Sequence, residues 1–324
     1  MSPPPDDPPR PVPDLTREAI YLVGATAVGK STVGLLLAER LGGEVLSLDS
    51  MAVYRGMDVG TAKPTAADRA RVPHHLLDLV DPTEEFTLAE YLRRAGGAVA
   101  DVRARGKTPI FVGGTPLYLK ALLRGVFEGP PADPEFRAAV TAEAQAVGPA
   151  ALHDRLAQVD PVAAAKLHPH DTRRIVRALE VYRATGVPIS HLQMQFDEGR
   201  PAASCRVYQL LRPREELHRR IAARVDAMFA GGLVEEAAGL LARHGDLGKT
   251  ASQAVGYREA LACLADTLDR QTAIADVTAR TRQFAKAQET WFRSLSEVTV
   301  VPVEGAERPD ATAGRIIALI GAMP

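Results

Sequence analysis

The chain has 324 residues, with 39 Lys and Arg against 40 Asp and Glu, and a net charge of −1. That length supports a full hydrophobic core plus a second, smaller unit, while the balanced charge excludes a broadly basic nucleic-acid-coating protein and confines any RNA surface to a local patch. No apolar run reaches the ~20 residues of a membrane helix, and the two distant cysteines, Cys205 and Cys263, exclude a disulfide scaffold or thiolate metal site and fit a reducing cytoplasm.

The chain opens on a Pro- and Asp-crowded stretch, Met1 to Pro13, without the apolar centre of a signal peptide; residues 1–17 read as a disordered tail. The first strand signal is Ala19–Val23. It runs into Gly24-Ala25-Thr26-Ala27-Val28-Gly29-Lys30-Ser31, which fits G-x-x-x-x-G-K-[ST]. Between a strand and a helix, this pattern places backbone N–H groups and a helix N-terminus around an anion. Lys30 supplies a cation for the outer phosphates and the Ser31 hydroxyl a ligand for Mg²⁺. The helix covers Ser31 to Arg40 and stops at Gly42-Gly43. The bound group is a di- or triphosphate.

Two more strand-like runs come next, Glu44–Leu48 and Pro109–Val112, ending in Asp49-Ser50 and Gly113-Gly114-Thr115. Thr115 before Pro116 is a good helix start. Strands alternating with helices predict an α/β fold, a parallel sheet of the P-loop NTPase type with helices on both faces. Ligands bind beyond the carboxyl ends of such strands, so the three endings should converge on one site.

From Glu128 the texture changes: Gly129-Pro130-Pro131-Ala132-Asp133-Pro134 reads as a hinge, and the stretch from there to Gly199 is Ala-rich and helical. Strand signals return at Cys205–Leu211 and Val298–Val303, separated by helical patterns through Arg293. The expected organisation is a core of 18–127 and 200–324 interrupted by a helical insertion, 128–199. Between Lys166 and Arg224 twelve Lys and Arg face six Asp and Glu. Within that stretch Asp171 to Gly186 reads as a capped helix. At ~100° per residue it places Ile175, Leu179 and Tyr182 on one face and Arg173, Arg174 and Arg177 on the other. Such a face is either simply solvated or a grip on a phosphate backbone.

A phosphate loop leaves kinase, NTPase and transferase open. The GTPase patterns D-x-x-G and N-K-x-D are missing from suitable places, and the third strand ends in Gly113-Gly114-Thr115 rather than in a hydrolytic acid. Asp49, after a strand and inside the expected crevice, is either a turn aspartate or the group that takes a proton from an incoming nucleophile. A P-loop kinase of a small metabolite or nucleotide, with the insertion as a lid, is the alternative enzyme. An RNA-binding module switched by a nucleotide is the non-enzymatic one.

Several blocks in order resemble the bacterial tRNA dimethylallyltransferase (tRNA isopentenyltransferase) family: Asp49 to Pro64, Pro73 to Asp78, Val112 to Thr115, Arg173 to Tyr182, Gln253 to Tyr257 and Thr281 to Lys286. The resemblance implies a prenyltransferase of tRNA modification, in which the loop Gly24 to Ser31 holds the diphosphate of dimethylallyl diphosphate with Mg²⁺. The acceptor is the exocyclic amine of the adenine 3′ to the anticodon, and diphosphate leaves. It implies that Asp49 deprotonates the amine, that Thr115 also contacts the flipped base, and that Ser50, Met51 and Ala52 line its pocket. Arg224, in the predicted helix Glu215–Phe229, would join Lys30 on the diphosphate, with Arg220 a weaker candidate. Arg137, the run Arg173, Arg174, Ile175, Val176, Arg177, and the run Ser252, Gln253, Ala254, Val255, Gly256, Tyr257 fall on tRNA-contacting segments. The expectation is a cytoplasmic monomer that clasps the anticodon stem-loop. Ala25 stands where the family usually has Pro, and Lys286-Ala287-Gln288 where it usually has Lys-Arg-Gln.

Overall fold

The computed structural model describes residues 18–127, 129–194, 198–305 and 307–322, so the expected tail lies outside the described residues. Six strands, β1 (Ile20–Gly24), β2 (Gly43–Leu48), β3 (His74–His75), β4 (Thr108–Gly113), β5 (Val207–Leu211) and β6 (Val298–Pro302), form one sheet. The order is β3-β2-β4-β1-β5-β6, and every pair is parallel. The two central strands are apolar from Ile20 to Val23 in β1 and from Pro109 to Val112 in β4 because both faces are covered. Along β1, Ile20 and Leu22 join Ile110, Tyr208 and Leu210 in one core; Tyr21 and Val23 join Phe111 and Val207 in the other. Tyr21 stacks on Phe111 with centroids 5.0 Å apart. Sequence reading missed β3, since a two-residue edge strand is too short to show alternation.

The helix after β1, Lys30–Leu41, ends on Gly42 in the left-handed region, as its Gly42-Gly43 signal implied. Because β1, β2, β4 and β5 are neighbours, their carboxyl ends deliver Gly24, Asp49, Gly114 and Arg212 to the same side of one sheet.

The chain divides into two compact units, one spanning Arg124–Glu198 and the other comprising the residues up to Leu123 together with those from Gly199 onward. The first division falls at the end of helix Pro116–Arg124, followed by Gly125 at φ 77°, a few residues before the Pro-rich stretch that suggested a hinge. The smaller unit holds helices Pro134–Val147, Pro149–Val159, Pro161–Lys166, Thr172–Thr185 and Ile189–Leu192. Three of them begin with Pro in the first turn, where its missing N–H costs nothing. Asp133 and Asp160 cap two of those, accepting from Phe136 N and Ala163 N at 2.9 Å each. Their apolar faces close a core of Phe136, Leu152, Leu156, Ile175 and Leu179.

Candidate functional site

At the end of β1, Gly24 adopts φ 146°, and a Cβ there would lie 2.7 Å from the Leu210 carbonyl oxygen, so only glycine fits against β5. Ala27 at φ 63° and Gly29 at φ 110° then turn the chain so that Lys30 begins the helix. The Ala25 and Val28 side chains are buried, which leaves their backbone as their contribution to the loop. The Lys30 ammonium donates to the Gly24 and Ala25 carbonyls at 2.9 and 2.7 Å. Burial, and then the Arg224 charge, lower its pKa to about 7 against the opposing pull of Asp49. Ser31 is exposed in the first helical turn.

Three arginines complete a cationic rim. Arg212, the first residue after β5, donates through Nε to the Val28 carbonyl at 2.8 Å and pairs with Glu216. Arg220 donates to the Ala27 carbonyl at 2.8 Å, and Arg224 to the Thr61 carbonyl at 3.2 Å. Arg220 and Arg224 lie four residues apart on helix Arg214–Ala230 and so share a face. Burial lowers the pKa of both. Loop amides, a helix N-terminus, Lys30 and guanidinium groups make a receptor for a compact polyanion such as a diphosphate. Arg212 was not singled out in the sequence, although its position directly after a strand marked it for the ligand side of the sheet.

Across the sheet end, the Asp49 Oδ1 accepts from Met51 N at 2.8 Å and Ala52 N at 3.3 Å, a turn that fixes the carboxylate. Asp49 is close enough to Lys30 and Arg224 to stabilise the charge on both. Thr115 directs its hydroxyl sideways, accepting from Ser50 N at 3.1 Å, while Gly114 N and Thr115 N each donate to the Leu48 carbonyl at 3.1 Å. The segments Asp49-Ser50 and Gly114-Thr115 are therefore stitched together. A Cβ on Gly114 would lie 3.5 Å from Lys30 Nζ, which places this pair of segments against the phosphate loop.

The IPP transferase family model matches residues 52–295. The chain belongs to this family. The tRNA dimethylallyltransferase of Rhodopirellula baltica is 51% identical over 302 residues, 91% of this chain and 90% of that protein. That of Geobacter sulfurreducens is 49% identical over 274 residues, covering 85% and 88%. Among solved structures, the tRNA isopentenylpyrophosphate transferase of Bacillus halodurans superposes with a TM-score of 0.68 at 37% identity, covering 94% of this chain and 96% of that one. A eukaryotic dimethylallyltransferase captured acting on tRNA superposes with a TM-score of 0.75 at 27% identity, covering 94% and 80%.

Within this IPP transferase the segments expected at tRNA divide by burial. Arg173 and Arg174 are exposed, whereas Ile175 and Val176 are buried in the core of the smaller unit, so these two side chains of the expected tRNA-contacting segment pack inward. Helix Thr172–Thr185 has a buried face wider than the periodicity suggested, because Val176, Ala178, Glu180 and Val181 join Ile175 and Leu179 in it. Arg137 and Arg177 are both engaged by the buried Glu180 carboxylate: Arg137 donates to it at 2.8 and 2.9 Å, and Arg177 pairs with it as well. Burial pushes the Glu180 carboxyl up, but Arg137, the Asp133 N–H and Arg177 outweigh that and hold it at about 2.

Between Ser252 and Tyr257, Gln253 is exposed and Gly256 and Tyr257 are buried. Tyr257 corrects the sequence expectation most clearly. It is fully buried, its ring occupies the space a Gly60 side chain would need, and its hydroxyl donates to Glu236 Oε1 at 2.5 Å. Ala52 is likewise buried, so only Ser50 and Met51 of that run are partly exposed. Among the described residues no cluster of three or more His, Cys, Asp or Glu could hold a metal, and no helix is long and apolar enough to cross a membrane.

Proposed function

We propose that this chain transfers the dimethylallyl group of dimethylallyl diphosphate to the exocyclic amine of the adenine 3′ to the anticodon of tRNA, releasing diphosphate. One observation carries the reading: the cationic phosphate loop abuts the stitched pair Asp49-Ser50 and Gly114-Thr115, so a leaving-group receptor and a fixed carboxylate adjoin on one sheet end. Membership in the IPP transferase family and the names of its relatives support it.

In this reading the amine nitrogen attacks C1 of the allylic chain, the C1–O bond breaks, and its electron pair leaves on the diphosphate. Lys30, Arg224 and the loop amides neutralise that charge. Asp49 takes the proton the amine sheds, and because the amine is conjugated with the ring, its orientation by Asp49 matters as much as basicity. Thr115 holds the same base, which must leave its stack at a cost of about a few kcal/mol. Mg²⁺ fits a site made of the exposed Ser31 hydroxyl and the diphosphate itself, since it favours few protein ligands and retained waters. It would supply Lewis-acid stabilisation of the leaving group. Arg173 and Arg174 supply phosphate contacts from the smaller unit, and the enzyme works as a monomer in the cytoplasm.

Mass spectrometry of a tRNA transcript incubated with the protein, Mg²⁺ and dimethylallyl diphosphate tests this. A gain of one prenyl group on one adenosine is expected. Phosphoryl transfer from ATP to a small acceptor without prenylation would replace the reading by the kinase alternative.

A further inference from the structure

Gln288 lies on helix Arg270–Arg293, far along the chain from both loops of the site, and is 4% exposed. Its Oε1 accepts from Thr26 N at 2.9 Å, inside the phosphate loop, and its Nε2 donates to the Gly114 carbonyl at the end of β4. The two partners fix which way the amide points, because an N–H can meet only the oxygen and a carbonyl only the NH₂. A single buried side chain thus joins the phosphate loop to the Gly114-Thr115 segment. Lys30 Nζ lies close by, 3.5 Å from where a Gly114 Cβ would stand.

We infer that Gln288 is a positioning residue that sets the distance between the donor loop and the acceptor segment. The inference rests on the transfer reading above, in which the phosphate loop holds the leaving group and Thr115 the base. Neither loop is held to the other by the sheet alone, since β1 and β4 stop pairing at Val23 and Gly113. Beyond that point the gap between the attacked carbon and the amine depends on the link that Gln288 makes. Gly114 must be glycine for the same reason: a Cβ would lie 2.5 Å from the Gln288 amide nitrogen. Thr26 N is also thereby committed to the protein, so the diphosphate is held by the remaining loop amides.

A misplacement of about 1 Å between reacting groups costs roughly 100-fold in rate with little change in binding. Gln288→Leu keeps the buried volume and removes both bonds. It should lower kcat by roughly 10- to 100-fold while leaving KM for dimethylallyl diphosphate and Kd for tRNA within about threefold. Gln288→Glu keeps the shape but, when ionised, cannot donate to Gly114 and puts a negative charge beside the phosphate loop that carries Lys30. Protonation restores the donor and removes the charge; burial raises the pH at which that happens and the Lys30 charge lowers it, but in either case it is the acid side that restores the bond. The kcat of Gln288→Glu relative to the unaltered enzyme should therefore recover as pH falls, a signature that loss of packing alone does not produce. If the unaltered enzyme prenylates tRNA but Gln288→Leu keeps its kcat, or if the Gln288→Glu ratio is flat with pH, the positioning role is wrong. Absence of prenylation by the unaltered enzyme would instead remove the transfer reading itself.

Discussion

Glu236 sits in the first turn of helix Leu233–His244 and gathers four donors onto one carboxylate. Its Oε2 accepts from Asp58 N at 2.9 Å and Val59 N at 2.8 Å, and its Oε1 from Gly60 N at 3.3 Å and the Tyr257 hydroxyl at 2.5 Å. Three of the four are backbone N–H groups, which can only donate. In Glu236→Gln one oxygen becomes an NH₂ donor; placed at Oε1 it leaves only Gly60 N without its acceptor, because the Tyr257 hydroxyl can turn to accept the amide N–H. Hydrogen bonds to charged groups contribute about 1.5–3 kcal/mol each and neutral ones about 1, so losing the Gly60 bond and the charge behind the other three costs about 2–4 kcal/mol. The loop so released carries the Thr61 carbonyl that holds Arg224 at 3.2 Å, so the damage should reach the diphosphate pocket. The expected outcome is a lower urea midpoint with unchanged slope, a donor KM raised by roughly three- to tenfold, and tRNA affinity within about twofold. Tyr257→Phe, which removes the one bond from the hydroxyl to the carboxylate, should lower stability by about 1.5–3 kcal/mol and shift the donor KM in the same direction. A fall in tRNA affinity with donor KM and midpoint unchanged would refute this, and would return Tyr257 to the RNA surface.

Three further outcomes are expected. Asp49→Ala should abolish transfer while tRNA affinity stays within about threefold, because its carboxylate acts on one proton; near-normal single-turnover rates would remove it as the base. Lys30 carries its proton below its pKa of about 7 and loses it above. Donor affinity should therefore be full on the acid side and fall about tenfold per pH unit on the alkaline side, with a proton taken up on binding. Calorimetry in buffers of different ionisation heat measures that uptake, and donor affinity that is flat from about pH 6 to about pH 9 counts against it. Arg173→Ala combined with Arg174→Ala should weaken tRNA binding and flatten its log–log salt dependence by roughly one unit per lost phosphate contact, and an unchanged slope would mean a merely solvated face.

The sequence by itself determined the α/β class, the phosphate loop, the residues at the strand ends and the family blocks, because these depend on local pattern. Short apolar runs bounded by glycines and rich in β-branched and aromatic residues favour buried strands, Gly42 favours a helix stop, and G-x-x-x-x-G-K-S favours a phosphate-binding turn. Tertiary structure alone decided which polar residues face a ligand and which hold the frame. Tyr257 and Gln253 stand four residues apart in one block, yet one is fully buried on Glu236 and the other exposed. Ile175 was legible as apolar from its spacing with Leu179, but that Val176 and Glu180 are buried beside it depends on the facing helices. Arg212 and Gln288 reach the phosphate loop from 184 and 262 residues away, and the short edge strand β3 exists only because β2 is there to pair with. Side-chain hydrogen bonds over such separations leave no periodic trace along the chain. They arise from which strand lies next to which, and the order β3-β2-β4-β1-β5-β6 is a property of the packed sheet.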